Sequence, residues 1–226
     1  MKERPIIFST ESVRAILDGR KTQTRRAVKP QIDDWEPYRS PEWYTQTAID
    51  RDGMEVPGKE VFGVSSEDGE HGRVCPFGAP GDRLWVREAF VCEGCPKCCA
   101  GIPALGGNCT CEEYVLYGDT VPVPAIYPPQ KPKLTSPVFM PRKFSRLTLE
   151  ITDVRCERLH DISWDDCIQE GTFQFHGYRD EHGIRSEGKR LFAEMWNTIN
   201  AKRGFSWDTN PWVWVIEFKR VEKENE

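Results

Sequence analysis

The sequence predicts a mainly β chain of the α+β class, with a β-barrel as its simplest architecture. Three observations predict it. Several short runs have the period of a half-buried strand, two or three short segments have helical spacing, and no regular strand–helix alternation builds a parallel sheet.

The first elements read as strand, helix, strand. The apolar run Pro5–Phe8 is a strand, and Ser9 or Thr10 caps a helix whose apolar face is Val13, Ile16 and Leu17. Gly19 falls where a left-handed C-terminal cap is expected. The chain leaves through the basic run from Arg20 to Arg26. Residues 30–80 show no sustained period and are rich in Pro, Gly, Asp and Glu, the pattern of an irregular, acidic insertion. Pro80-Gly81-Asp82 is a turn, and Arg83–Phe90 reads as a strand. A cysteine cluster and a Pro-rich stretch over 118–142 follow. Regular structure returns at Leu147, Leu149 and Ile151, which alternate with polar residues. Ser163 and Asp166 have capping-box spacing ahead of a short helix that stops at Gly171. A second helix covers 187–201 with Leu191, Phe192, Met195, Trp196 and Ile199 on one side, and Pro211–Phe218 is the last strand.

Composition narrows the function classes. The 226 residues suffice for a single domain with insertions. No run approaches the roughly 20 apolar residues of a membrane helix, and Met1 is not followed by the apolar core of a secretory signal, so a cytoplasmic protein is expected. The net charge of −5 argues against a general nucleic-acid binder, yet the balance is uneven. Residues 1–30 carry eight Lys/Arg against three Asp/Glu, whereas 31–74 carry four against eleven. A basic patch confined to one segment suits a local phosphate or RNA contact; a solvated basic turn is the plainer alternative.

The run Gly19-Arg20-Lys21-Thr22-Gln23-Thr24-Arg25-Arg26 resembles the Gly-x-Lys-x-x-Thr-x-Arg signature of ASCH domains. The Pro80-Gly81-Asp82 turn, the Leu159–Glu170 segment ending on an acidic residue and the closing Trp212–Phe218 strand are similar to further elements of that family, in the same order. The resemblance covers 5–27, 78–90 and 145–220 of a single domain, with insertions at 28–77 and 91–140. It implies a PUA-like β-barrel with short flanking helices and a nucleoside or RNA ligand. Some small ASCH proteins are amidohydrolases that deacetylate N4-acetylcytidine, and their catalytic lysine, threonine and glutamate fall by motif on Lys21, Thr24 and Glu170. This chain departs from those enzymes by its two inserted segments.

The residue types suit that chemistry. Free lysine is a poor base, with a pKa of about 10.4, but burial and cationic neighbours such as Arg20, Arg25 and Arg26 would lower it. Lys21 so tuned could take a proton from Thr24, or attack directly. Glu170 ends its helix, where the macrodipole disfavours a negative charge, a setting for a residue that gives a proton to a leaving amine. Arg25 and Arg26 suit a phosphate or a base-edge acceptor. Trp85 and Arg142 could stack on and hydrogen-bond an unpaired base at a barrel mouth. Alternatives in other classes are a non-catalytic RNA-binding module and an interaction adaptor that meets a protein partner through its insertions.

Six of the nine cysteines fall between Cys92 and Cys111. In a reducing compartment such a cluster points to metal rather than disulfides. Cys92, Cys95, Cys109 and Cys111 form two thiolate pairs for a tetrahedral zinc, with Cys98 or Cys99 as alternates. An iron–sulfur cluster or a redox-active thiol group is the alternative. Four protein ligands leave no open position, so the zinc would be structural, stapling the insertion. Cys75, Cys156 and Cys167 read as small buried hydrophobes. Metal analysis of the full chain should find about one zinc per molecule, lost on Cys95→Ser; a metal-free preparation that keeps its fold would count against the knuckle.

Overall fold

The computed structural model describes residues 1–32, 34–37, 40–92, 115–117, 134–171 and 183–221. Their architecture is mostly β with a few helices. β1 (Glu3–Ile7), α1 (Thr10–Leu17) and β2 (Gln23–Ala27) open the chain in the expected strand–helix–strand order. Ser9 caps α1, its hydroxyl accepting from the Ser12 amide, and Gly19 follows the helix at φ 72°. β6 (Arg83–Arg87), β9 (Thr148–Arg158) and β10 (Trp212–Val221) complete a five-stranded sheet in the order β1-β6-β9-β10-β2. Only β1 and β6 run parallel; the other neighbours are antiparallel.

Among the described residues no sheet closes into a barrel, and β1 and β2 are the edges of this one. The edges nevertheless meet. Arg26 of β2 donates from Nη2 to the Ile7 carbonyl of β1 at 2.6 Å. A flat five-stranded sheet would hold its edges about 19 Å apart, four spacings of about 4.8 Å, far beyond one side chain. The sheet therefore curls strongly, as twisted strands allow.

The curl separates two apolar cores. Inside it, Ile6, Leu84, Val86, Leu149, Ile151, Trp212, Trp214 and Ile216 pack with Phe8, Val13 and Ile16. The alternate residues Val213 and Val215 face outward, onto a second cluster with Leu159, Ile162, Cys167, Phe192 and Trp196. That outer layer is built by α2 (Trp164–Gln169) and α3 (Gly183–Asn200). Ser163 and Asp166 form the expected capping box. On α3 the anticipated face holds at Phe192 and Trp196, while Ile199 is 48% exposed.

The acidic insertion differs from expectation. Residues 42–74 are not irregular; they form the antiparallel sheet β3 (Glu42–Ile49), β4 (Glu55–Ser65), β5 (Gly72–Val74). Of its apolar residues only Phe62 and Val64 enter the core, beside Cys75 that follows it, so most of its hydrophobic side chains mark no buried face in sequence. In the second insertion β7 (Phe90–Cys92) pairs with β8 (Val115–Tyr117). Beyond it Met140 and Phe144, within the stretch read as irregular, are buried on short 3-10 turns. The cysteine knuckle at 93–111 lies outside the described residues.

α2 ends against the start of β2. Lys21 and Glu170 form an isolated antiparallel bridge, and the Thr22 amide donates to the Gln169 carbonyl at 2.9 Å. Gly171 makes this approach possible. It sits at φ 71°, and a Cβ there would lie 2.9 Å from the Lys21 Cβ and 3.0 Å from the Ala15 Cβ. Gly171→Ala is expected to cost about 1–3 kcal/mol from backbone strain and crowding. Chemical denaturation should read that loss together with weakened ligand binding; an unchanged midpoint would show that the junction tolerates a side chain.

Candidate functional site

β2 carries the site because its side chains alternate between the two cores. Thr24 and Arg26 pair in register with Ile216 and Trp214, which face the inside of the curl. Gln23 and Arg25 pair with Glu217 and Val215 and face outward, under α2 and α3. Lys21 lies just ahead of β2, its backbone amide bonded to the Ala15 carbonyl of α1 at 3.0 Å.

Lys21 and Glu170, 149 residues apart in sequence, meet in the interior at 4% exposure each. The Lys21 Nζ donates to Glu170 Oε2 at 2.7 Å and to the Glu170 carbonyl at 2.8 Å. An ammonium has three donors, and these two contacts leave one direction for another acceptor. The Thr24 hydroxyl is not among the present partners of Nζ, although Thr24 is itself buried on the inner face. The structure thus brings Lys21 and Glu170 into contact and places Thr24 three residues further along the same edge.

Burial is the largest influence on Lys21 and pulls its pKa below the ordinary lysine value. The Glu170 charge and hydrogen bond oppose this, and Arg26 and Arg25 add to the lowering. The Arg20 guanidinium instead turns to Asp18 at 2.8 Å. The helix-end carboxylate of Glu170 is answered by two cations, since Arg25 Nη1 faces Oε1 at 3.5 Å. At that distance no hydrogen bond forms, and Glu170 Oε1 and Arg25 Nη1 are buried without hydrogen-bond partners.

Outward of β2, Arg25 is balanced. Its Nη2 donates to Glu157 at 2.6 Å and faces Asp166 at 3.1 Å. Arg155 joins the network through Asp166 at 2.7 Å, Glu157 and Glu217. Asp166 also accepts from Gln23 Nε2 at 2.9 Å and from the amide and hydroxyl of Ser163. Sequence reading assigned Asp166 only to its cap and did not find Gln23, Arg155 or Glu157. The period-two spacing of Gln23 and Arg25 is the sole sequence signal for that cluster.

Arg26 has a different setting. Its guanidinium lies 5.1 Å from the centre of the Phe8 ring, over which Lys21 Nζ also sits at 5.8 Å. Burial draws its pKa down, Glu170 opposes that, and the Arg203 charge reinforces it. Trp85 and Arg142 form a separate group. The Trp85 ring is buried, with Arg87 at 4.6 Å and Arg142 at 5.9 Å from its centre, and Arg142 pairs with Glu3 at 2.9 Å. Among the described contacts none joins that group to Lys21, Thr24 or Glu170.

Cys75, Cys156 and Cys167 are buried as expected, and burial pushes their thiols up to about 11, 12 and 11. Such thiols are poor nucleophiles and ligands at neutral pH. Among the described residues no group of three or more His, Cys, Asp or Glu could hold a metal, and no helix is long and apolar enough to cross a membrane. Of the expected zinc ligands, Cys92 ends β7 and the others lie outside the described residues. Compared with known proteins, the chain matches no family model, no curated protein and no solved structure.

The Asp166 network gives a pH signature. Burial opposes its ionisation, but the Ser163 hydrogen bonds, Arg25 and Gln23 outweigh burial and hold the carboxyl well below its usual range. A carboxylate depressed in the native state contributes stability that is complete above its unfolded pKa of about 3.9. That contribution drains away as the pH falls from there towards the native value. Asp166→Asn sets an amide donor among donors and should cost about 1–3 kcal/mol at pH 7. The difference from the parent should narrow on acidification below about pH 4, read by denaturant melts across pH. A difference that stays constant to pH 2.5 or below would contradict this account (roughly 1.4 units under the unfolded pKa).

Proposed function

We propose that the chain is an ASCH-type, PUA-like domain whose Lys21–Thr24–Glu170 edge recognises a nucleoside and hydrolyses an acylated cytosine amide such as N4-acetylcytidine. The observation that carries the reading is the buried 2.7 Å contact between Lys21 and Glu170, with Thr24 buried three residues further along the chain. The curled five-stranded sheet with bridged edges supports the barrel relationship. The knuckle enters as a structural zinc site remote from the chemistry.

The pair suits amide hydrolysis because a desolvated ammonium and carboxylate can exchange a proton across a short hydrogen bond. Moving it from Nζ to Oε2 leaves a neutral amine and a carboxylic acid with no change in total charge. On substrate entry the neutral Lys21 amine accepts the Thr24 hydroxyl proton as Oγ1 attacks the acyl carbonyl. Glu170 returns its proton to the departing N4 amine, giving cytidine and an acylated Thr24. Water then attacks that ester, giving one proton to the Glu170 carboxylate while Lys21 passes its own to the threonine oxygen, so the carboxylic acid leaves and the neutral amine and protonated carboxyl are restored. Lys21 must turn its free direction towards Thr24, an adjustment that catalytic hydrogen bonds commonly complete only in the substrate complex.

Incubation with N4-acetylcytidine, followed by mass spectrometry for cytidine, tests the reading. Turnover is expected, with losses of at least about 100-fold in Thr24→Val and Glu170→Gln. Lys21→Ala should also abolish it, but that variant strands a buried carboxylate at a cost of about 3–5 kcal/mol, so its fold must be checked by melting. Absence of turnover on N4-acetylcytidine and related acylated nucleosides, or turnover untouched by Thr24→Val, would overturn the catalytic assignment.

A further inference from the structure

The charges on the inner face of the site do not balance. Lys21 and Arg26 stand over one Phe8 ring, and one carboxylate, Glu170, serves them while also facing Arg25. Arg25 has Glu157 and Asp166 on its own side of the sheet. Arg26 has neither: among the described residues no carboxylate lies within ion-pair distance of it, and its buried Nε has no hydrogen-bond partner. Among the described residues its hydrogen bond is one from Nη2 to the Ile7 carbonyl. Arg203, exposed on the 3-10 turn that follows α3, adds a second positive charge to the field at Arg26 and likewise pairs with no described carboxylate.

A half-buried guanidinium is costly to hold without an anion, and its planar fork matches an oxyanion with two oxygens to offer. We infer that Arg26 seats a phosphate group of the ligand, so that the preferred ligand is a phosphorylated nucleoside rather than a free one. The inference rests on the nucleoside reading for the base and sugar, while the phosphate seat stands on the charge arrangement alone. Lys21 and Thr24 are left for the base end of the same ligand, because they precede Arg26 along one edge strand.

Binding of cytidine, cytidine 5′-monophosphate, ribose 5-phosphate, inorganic phosphate and an unphosphorylated trinucleotide RNA is measured by calorimetry. The monophosphate should bind at least about tenfold more tightly than cytidine, as charge-assisted hydrogen bonds contribute. Arg26→Gln should erase that advantage, bringing the monophosphate within about threefold of cytidine on the same variant. Arg26→Lys, which keeps the charge but loses the fork, should recover only part of it. Arg203→Gln changes an exposed residue and should weaken the monophosphate selectively, so the test survives if Arg26→Gln fails to fold. Equal binding of cytidine and its monophosphate would overturn the inference and leave the nucleoside reading standing. Arg26-dependent binding of ribose 5-phosphate or phosphate without any cytidine binding would keep the phosphate seat and remove the nucleoside reading. Trinucleotide binding as tight as the monophosphate and lost in Arg26→Gln would assign the seat to an internal phosphate of RNA. No binding of any of them would end both.

Discussion

A buried ammonium and a buried carboxylate 2.7 Å apart tie the end of α2 to the edge of the main sheet, and the neighbouring structure is arranged to permit that contact. Charges taken out of water this way survive only when paired and hydrogen-bonded. Lys21 therefore uses both the carboxylate and the backbone carbonyl of Glu170. The Ser163–Asp166 capping box fixes the start of α2, and the missing Cβ of Gly171 lets its end come against Lys21 and Ala15. The junction joins α1, α2 and β2 within a few residues, so the geometry of the site and the docking of the outer helix are one problem in packing.

β2 divides polar work between its faces. Outward, Gln23 and Arg25 enter a network with Asp166, Glu157, Arg155 and Glu217 in which cations and carboxylates satisfy one another. Such a network is a scaffold: it fixes the strand beneath the helices and has little reason to seek a ligand. Inward, Lys21 and Arg26 outnumber their carboxylate, and Arg26 Nε is left without a hydrogen-bond partner. The same edge thus carries one face whose arginine is matched by carboxylates and another whose cations outnumber the carboxylate they share.

The curl of the sheet brings this about. Without it, Ile7 on β1 and Arg26 on β2 would stand on opposite edges, and Phe8 could not underlie both inner cations. The three-stranded insertion leans on the same interior through Phe62 and Val64 while its far hairpin carries exposed Ile49 and Met54. It adds a layer to the domain and leaves the strand order of the main sheet intact.

Local chemistry in the sequence was enough to determine the α+β character, the strand–helix–strand opening, the Ser9 and Ser163 caps, the Pro80–Asp82 turn, and the burial of Cys75, Cys156, Cys167, Trp196, Trp212 and Trp214, whereas Lys21 and Glu170 were singled out by the motif resemblance. Each is written in a period, a capping residue or a motif of a few neighbouring positions. The insertion sheet was not legible, because only Phe62 and Val64 of its apolar residues are buried and its strands are recognised by pairing rather than by burial. The carboxylates around Arg25 come from β9 and α2, more than a hundred residues away, and no local period announces them. Only the folded chain decided that Arg25 and Arg26, adjacent and chemically alike, point into opposite cores, one neutralised and one not. The reason is the strand's alternation placed on a sheet with two different faces: sequence supplies the alternation, and tertiary structure supplies what each face meets.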